Sequence, residues 1–372
     1  MTNVSIVAAP VIKRILWDRD KLPASELEQR LNMLRDLCIK QGLAGIFVYG
    51  DALYSGDLCY FTNYTCHISW RDGLLFMPAQ GDPVMYLRVA ARDVPYIQEV
   101  TPVKVKFCRE LSGACLEAVE QFGVSEGPLG KIGFENIPFN EYIKVKKNLP
   151  IDSWADLTST TRNWRVKKSK QEQLALKEGG RITSEGMALL KAKAVSGTTL
   201  PGLRAEVDYM ARRKGCQDIQ VLAGINEGNM GPVDDYTLKE GDYLRIILSI
   251  QHLQYWTSMA RTVIVRKEDG VDDDIFVKVK DLENLLIQNL NPAQFDKKIF
   301  KLLKNEAAPS IGMGSGIGLQ LEEEPDFLWQ DFMPEEGMAL NVRVTVESGG
   351  KKALRGDTVL LVDGQPEILT QV

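Results

Sequence analysis

Residues 241–262 read GDYLRIILSIQHLQYWTSMART and predict a β-hairpin in the second half of the chain. Apolar and β-branched residues fill residues 243–250 and return at 259–265, so two strands are expected there. His252 lies in the connection between them. Later strands are predicted at 339–346 and 358–362.

Helical patterns surround this hairpin. One ends near residue 194, a second covers 203–213, and more lie within 274–303. Helices that come first and strands that are interleaved later favour an α+β domain over a doubly wound sheet. The composition changes at residues 163–173, NWRVKKSKQEQ, to a basic and polar stretch. This domain is therefore predicted to span residues 163–372.

The first part of the chain alternates strands with helices, which predicts a smaller α/β domain over residues 1–162. Its first helix is expected over 25–41, where Ser25 and Glu28 have the spacing of a capping box. The fold class is therefore α+β, with an α/β N-terminal domain before the larger domain of helices and strands.

The composition excludes several classes of protein. The 372 residues carry a formal net charge of −5, and 44% of them are hydrophobic. This mild acidity offers no basic face for phosphates, so no nucleic-acid partner is expected. No stretch approaches the roughly 20 apolar residues of a membrane span, so no membrane partner is expected either.

The cysteines and the N-terminus favour the cytoplasm. The six cysteines include no CxxC pair, so reduced and mostly structural thiols are expected. The apolar run 4–12 has no basic segment before it and is followed by Lys13 and Arg14, unlike a secretory signal.

The chain has only two histidines, which excludes a His-rich metal centre.

A glycine-rich stretch at residues 312–318, GMGSGIG, fits neither dinucleotide nor P-loop spacing. It predicts a tight turn or a close approach of two backbones. No cofactor is therefore expected.

Several short motifs follow one another in a characteristic order. They are RVKKS (165–169) with Glu172, LKEGD (238–242), RT (261–262), GSGIGLQLEEEP (314–325), EGM (336–338) and DTV (357–359). Together they resemble peptidase family M24, the pita-bread proteins that include methionine aminopeptidase, aminopeptidase P, prolidase and creatinase. The resemblance implies a pita-bread domain over 163–372, and the creatinase, prolidase and aminopeptidase P branch accounts for an N-terminal domain over 1–162.

The metal-dependent members of that family bind two divalent cations through two aspartates, one histidine and two glutamates, and activate a bridging water. At the corresponding positions this sequence has Ile247, Ser258, Ser315, Arg343 and Gly356. An arginine cannot ligate a cation, because its guanidinium is always protonated and has only donors. The resemblance therefore implies a protein without the dinuclear metal site.

Creatinase works without a metal, using a histidine as acid and base and glutamates that hold a guanidinium substrate. The segment that would carry the histidine reads NEGNMGP (226–232) here. The hairpin glutamate corresponds to Ala260 and the later glutamate again to Arg343. The chemistry of creatinase cannot therefore be transferred to this chain.

Arg343 inverts the sign of the charge at this position, so the former active-site cleft is expected to bind a carboxylate such as a peptide C-terminus. Glu322, which occupies the second-histidine position of the family, is a candidate partner for Arg343 or for a basic ligand group. The alternative interpretation is that Glu322 belongs to an acidic loop exposed to solvent. Ser258, Ser315 and Tyr255 complete the expected lining of the cleft.

Three other sets of residues each have a functional and a structural interpretation. His252 is a candidate general base, or a turn or surface histidine. Cys66 and His67 are a candidate nucleophile pair, although neighbours in a strand point to opposite faces. Trp70 and Arg71 fall near the segment by which a creatinase-like subunit reaches its partner's cleft, which implies a homodimer, or they only pack at the surface.

Two hypotheses follow from these residues. The first is a pseudo-peptidase whose cleft binds a peptide or small carboxylate-bearing ligand, as an accessory protein in a pathway. The second is a metal-independent hydrolase or lyase acting on a C–N bond, with Glu322, His252 and Arg343 as its candidate catalytic residues. A scaffold with an occluded cleft, acting only through its outer surface, is a third possibility.

Overall fold

The computed structural model describes residues 17–66, 72–124, 127–149, 153–265, 274–306, 314–327 and 332–372. By their internal contacts, the residues divide into two compact units, Met1–Arg165 and Val166–Val372. Each unit contains its own β-sheet.

The first unit is built on a six-stranded mixed sheet with strand order β4-β3-β2-β1-β5-β6. Its strands are β1 (Gly45–Asp51), β2 (Asp72–Pro78), β3 (Val84–Leu87), β4 (Lys104–Phe107), β5 (Leu129–Ile132) and β6 (Trp154–Asp156). Its helices are α1 (Ala24–Lys40), α2 (Gly56–Thr62), α3 (Val94–Gln98), α4 (Leu111–Gln121), α5 (Phe139–Asn148) and α6 (Thr158–Val166). Strand β1 pairs antiparallel with β2 and parallel with β5, so this is the predicted α/β domain.

Helix α1 starts differently from the prediction. Pro23 is its N-cap residue and makes no side-chain capping bond, so the predicted capping box of Ser25 and Glu28 is wrong. Proline fixes the extended backbone just before the first turn, which sets the start of the helix without a hydroxyl cap. The leucine stripe does pack inward, since Leu27 and Leu34 are fully buried.

The second unit is an antiparallel sheet covered by helices. Its strands are β7 (Asp218–Ile225), β8 (Gly231–Pro232), β9 (Tyr243–His252), β10 (Tyr255–Ile264), β11 (Gly314–Gly316), β12 (Glu323–Asp326), β13 (Ala339–Ser348), β14 (Lys351–Val362) and β15 (Gln365–Ile368). The path of the sheet is β12-β11-β13-β14-β10-β9-β7-β8, with β15 paired to β14. Its helices are α7 (Lys170–Lys193), α8 (Leu200–Arg213), α9 (Asp274–Asn289) and α10 (Lys297–Glu306).

The helices pack on one face of this sheet. Apolar residues of α7 and α8 join alternate residues of β7, β9 and β10 in one core cluster. Those of α9 and α10 join alternate residues of β13 and β14 in a second. Because side chains alternate along a strand, the intervening residues point to the opposite face, which we call the far face.

Helix α7 carries the sequence signals for its own start and its close packing. Ser169 accepts from the Glu172 N–H while the Glu172 side chain accepts from the Ser169 N–H, a complete capping box. Gly180 lies where the chain after β15 crosses the helix. A Cβ there would meet the Leu369 carbonyl oxygen at 2.5 Å. Only glycine permits that approach.

The predicted hairpin is confirmed as β9 and β10, whose register runs from Tyr243 opposite Ile264 to His252 opposite Tyr255. Its two turn residues, Leu253 and Gln254, both have positive φ, the geometry of a two-residue hairpin turn. The Gln251 side chain donates to the Gln254 carbonyl at 3.0 Å and helps hold this turn.

All six cysteines lie in the described part of the chain, where they are buried and form no disulfide. Burial raises the pKa of the Cys216 thiol to about 12, so this cysteine is protonated and unreactive near neutral pH. Among the described helices, none is both long and apolar enough to cross a membrane.

The close approach at Gly180 gives a stability prediction. Gly180→Ala should lower the free energy of unfolding by about 1–3 kcal/mol, because the new methyl group collides with a backbone atom. Gly231→Ala is the matched control, since a Cβ there meets nothing within 4 Å. Thermal unfolding of both variants tests this, and equal midpoints would contradict the packing of α7.

Candidate functional site

The five positions that the family resemblance assigns to metal ligands lie on strands of the second unit. Ile247 is on β9, Ser258 on β10, Ser315 on β11, Arg343 on β13 and Gly356 on β14. The residues next to them in β9, β13 and β14 belong to the helix-covered cores. Alternation therefore directs these positions to the far face.

Three of the five positions share a single row across four strands. Ile247 pairs with Ala260, Ala260 with Gly356, and Gly356 with Arg343. The row thus begins with a branched apolar side chain, crosses two small residues and ends with a cation. The sheet brings together the positions that the sequence predicted to be neighbours.

The first position is part of an apolar cluster. Ile247, Ala260 and Leu354 are buried against one another, and Leu222 and Met230 pack beside them. The side chain of Ile247 is 3% exposed. Hydrocarbon surrounds the position where an aspartate would ligate a cation.

Ser258 is bound into the sheet. Its hydroxyl lies 2.9 Å from that of Ser249, which donates to it. Its N–H donates to the Thr358 hydroxyl at 2.8 Å, and that hydroxyl donates back to the Ser258 carbonyl at 2.9 Å. Neutral hydroxyl groups therefore make the hydrogen bonds of Ser258 on the far face.

Gly356 has no room for a side chain. A Cβ there would lie 2.5 Å from the Val342 carbonyl oxygen and 2.9 Å from Cγ of Arg343. The first of these atoms belongs to the neighbouring strand and cannot rotate away. A glutamate at this position would therefore require β13 and β14 to move apart.

Arg343 brings a half-buried cation to this row. Its Nε has no hydrogen-bond partner among the described residues. Burial lowers the pKa of the Arg343 guanidinium, and the negative charge of Glu322 opposes that shift. Even so, an arginine stays protonated near neutral pH. The far face thus holds a positive charge whose donors are incompletely used.

The acidic run lies beside this cation without neutralising it by contact. Glu322 is exposed. No hydrogen bond or ion pair joins Glu322 to Arg343 in the described part of the chain. The next carboxylate, Glu323, is engaged elsewhere, because its Oε2 lies 3.1 Å from Nζ of the buried Lys168. The Ser315 hydroxyl donates to the Gly316 carbonyl at 3.0 Å.

A cluster of buried charges lies on the helix side of the same row. Arg261 contacts both carboxylate oxygens of Asp357, at 2.9 and 3.0 Å, and also donates to the Gly356 carbonyl at 2.8 Å. Glu283 of α9 accepts from Arg355. Burial and the neighbouring Asp357 raise the pKa of Glu283 to about 8, against the opposing charges of Arg355 and Arg261.

Two predicted lining residues are not brought to the far face. Tyr255 is three residues from Ser258, so it points the other way, and its hydroxyl lies 3.1 Å from Oε1 of Glu172. His252 is buried on the helix side, with Nδ1 3.9 Å from Sγ of Cys216. Their proposed roles at a ligand stay predictions that this geometry does not favour.

The candidate residues of the first unit cannot be placed. His67, Trp70 and Arg71 lie outside the described residues. The cysteine of the Cys66–His67 pair is buried, and burial raises its pKa well above the usual range, which opposes a role as nucleophile. The homodimer that Trp70 and Arg71 imply stays a prediction.

The residues of the far face do not fit a pair of divalent cations. Such a site needs several carboxylates and an imidazole. The assigned positions instead offer a hydrocarbon side chain, hydroxyls that bond to protein groups, a guanidinium and a glycine without side-chain space. Among the described residues, no three His, Cys, Asp or Glu side chains are grouped so that they could hold a metal ion.

Comparison with known proteins settles the family. The model of metallopeptidase family M24 matches residues 175–363. The chain belongs to metallopeptidase family M24. One M24-type relative, the Xaa-Pro dipeptidase of Pyrococcus horikoshii, is 19% identical over 272 residues, which cover 69% of this chain and 74% of that protein.

Solved structures confirm the pita-bread fold with an N-terminal domain. The prolidase from Pyrococcus horikoshii superimposes with a TM-score of 0.78 at 15% identity, covering 92% of this chain and 98% of that one. The X-Pro aminopeptidase from Thermotoga maritima gives a TM-score of 0.80 at 14% identity, covering 92% and 97%. The predicted fold class is therefore confirmed.

One polar residue of the site was not identified from the sequence. Asn341 precedes Arg343 by two residues on β13, so it shares the far face with it, and it is 2% exposed. Counting by two from Arg343 along a predicted strand would have identified this residue.

The buried carboxyl of Glu283 gives a pH prediction. Its pKa of about 8 in the folded protein exceeds the ordinary value of 4.5, so folding retains a proton that the unfolded chain releases. Stability from this group is complete below pH 4.5 and is lost as the pH rises toward 8, by at most about 1.4 kcal/mol per pH unit. In Glu283→Gln this loss should disappear.

The measurement is the unfolding midpoint between pH 5 and pH 8.5. Asp281→Asn is the matched control, because Asp281 is an exposed carboxylate on the same helix. A Glu283→Gln profile as steep as that of the wild type would show that Glu283 is ionised in the folded protein.

Proposed function

We propose that this M24 protein does not hold the dinuclear metal and that its former active-site cleft binds a peptide or small carboxylate-bearing ligand, as an accessory protein in a pathway. The observation that carries the proposal is the half-buried guanidinium of Arg343 on the far face, whose buried Nε lacks a partner among the described residues. The negative charge of Glu322 acts on this guanidinium, but no ion pair joins the two side chains among the described residues.

Electrostatics favours an anion at this position. A buried donor atom is costly unless it is hydrogen-bonded, and a carboxylate supplies both several acceptor sites and the charge opposite to that of the guanidinium. Arginine is also the side chain best suited to a planar carboxylate. A ligand carboxylate at Arg343 would therefore relieve a cost that the unliganded protein carries.

The apolar end of the same row supplies a second feature of the ligand. Leu222 and Met230, which are partly exposed, pack beside the buried Ile247, two strands from Gly356. A ligand with a hydrophobic part beyond its carboxylate suits this surface. Relatives of the chain are named Xaa-Pro dipeptidases, so the dipeptide Leu-Pro is an appropriate probe.

The first prediction concerns metal. Protein purified without chelators should contain manganese, zinc and cobalt far below one ion per chain, and added Mn²⁺ should leave its thermal midpoint unchanged, because ligand binding to the folded state would raise it. Elemental analysis and thermal unfolding measure the two quantities. A metal-dependent M24 peptidase prepared in parallel is the control, and a near-stoichiometric metal content here would overturn the metal-free part of the proposal.

The second prediction concerns Arg343. Wild-type protein should bind Leu-Pro at least tenfold more tightly than its C-terminal amide, since a charged hydrogen-bonded pair contributes about 1.5–3 kcal/mol. In Arg343→Ala the preference for the acid should vanish. Ligand-observed NMR or calorimetry gives both dissociation constants.

Thr345→Val is the matched control for Arg343→Ala, because Thr345 is buried on the same strand and directed to the same face. It should retain the preference for the acid. If neither probe binds the wild type, or if the preference survives Arg343→Ala, the carboxylate proposal is wrong.

The alternative, a metal-independent hydrolase or lyase, draws support from one observation. The exposed Glu322 is close enough for its charge to act on Arg343, so a base and an anion-stabilising group share the region. Incubating the protein with Leu-Pro and measuring free proline tests this. Turnover that stops in Glu322→Gln while binding persists would favour the enzyme, and the absence of turnover would favour the binding protein.

A further inference from the structure

Asn341 is a second polar residue of the far face, two positions before Arg343 on β13. The two residues are two apart on β13, so their side chains leave the same face of the sheet. In register, Asn341 stands between Ser315 of β11 and Thr358 of β14. It is the central residue of a three-strand row next to the row that contains Arg343.

The carboxamide of Asn341 is incompletely bonded. Its Nδ2 is buried and has no hydrogen-bond partner among the described residues, like Nε of Arg343. Both neighbouring hydroxyls are engaged elsewhere. Thr358 bonds to the backbone of Ser258, and Ser315 donates to the Gly316 carbonyl. Nδ2 of Asn341 and Nε of Arg343 are therefore two buried donor atoms on one face of β13 that lack an acceptor among the described residues.

Buried polar groups in folded proteins are nearly always hydrogen-bonded, so a shared acceptor would stabilise both donors. An apolar residue of similar size at the position of Asn341 would avoid the cost of burying an unbonded amide. One carboxylate has two oxygens and about four acceptor sites, so it can accept from both side chains at once. A single carboxylate can therefore serve as the acceptor for both donors.

We propose that Asn341 is a specificity-determining residue: its carboxamide donates to one oxygen of the ligand carboxylate while the guanidinium of Arg343 holds the other. This inference rests on the proposed function and names a second contact of the same site. It assigns the ligand class as a carboxylate with both oxygens free, in preference to a neutral carboxamide or ester.

The test compares Asn341→Leu, Asn341→Asp and the control Thr345→Val with the wild type, using Leu-Pro and its C-terminal amide as probes. Asn341→Leu should bind Leu-Pro about tenfold more weakly, because a hydrogen bond to a charged group is lost. Without ligand, it should unfold at a higher temperature than the wild type, because an unsatisfied amide has been removed.

Asn341→Asp gives a readout that a structural role would not produce. The new carboxylate repels that of Leu-Pro but can accept from the amide NH₂, so the preference between the two probes should reverse. A uniform loss of both probes in this variant, or a lower unfolding midpoint for Asn341→Leu, would assign Asn341 to the fold instead.

The two proposals fail in different ways. If the wild type shows no preference for the acid, the carboxylate site at Arg343 is wrong and this inference falls with it. If Arg343→Ala abolishes the preference while Asn341→Leu behaves like Thr345→Val, only the role of Asn341 is wrong.

Discussion

The site depends on the buried ion pair of Arg261 and Asp357. Arg261 binds both oxygens of Asp357 and reaches the Gly356 carbonyl, so it fastens β10 to β14 from the helix side. The ladder between these strands runs through Ala260 and Gly356. Breaking such a pair leaves an uncompensated buried charge and typically costs 3–5 kcal/mol. The row of residues on the far face keeps its register because this pair holds the two middle strands together.

On that row the family resemblance implies an exchange of the carboxylates of an M24 metal site for a cation. Apolar packing around Ile247, the lack of space at Gly356 and the cation of Arg343 are mutually consistent, since each disfavours a divalent cation. The same exchange creates a demand for an anion. Under the proposed function, strand positions that hold cation ligands in the metal-dependent members hold a cation for a carboxylate in this chain.

Much of this could be predicted from the sequence. The hairpin follows from the apolar residues at 243–250 and 259–265, although its second strand begins earlier, at Tyr255. The order of motifs assigned Ile247 and Arg343, which are 96 residues apart, to one site, and the sheet has them at the two ends of one row. The direction of the Tyr255 side chain was not predicted, because a shift of one residue along a strand reverses the face to which a side chain points. The unmet donor of Asn341 could not be predicted at all, since it depends on what the neighbouring strands already bond.

The most direct measurement is a crystal structure of the protein grown with both Mn²⁺ and Leu-Pro, with anomalous data collected at the manganese edge. We predict no anomalous peak among residues 247, 258, 315, 343 and 356, and a carboxylate in contact with the Arg343 guanidinium. A manganese peak on the far face, or a dipeptide whose carboxylate lies away from Arg343, would contradict it.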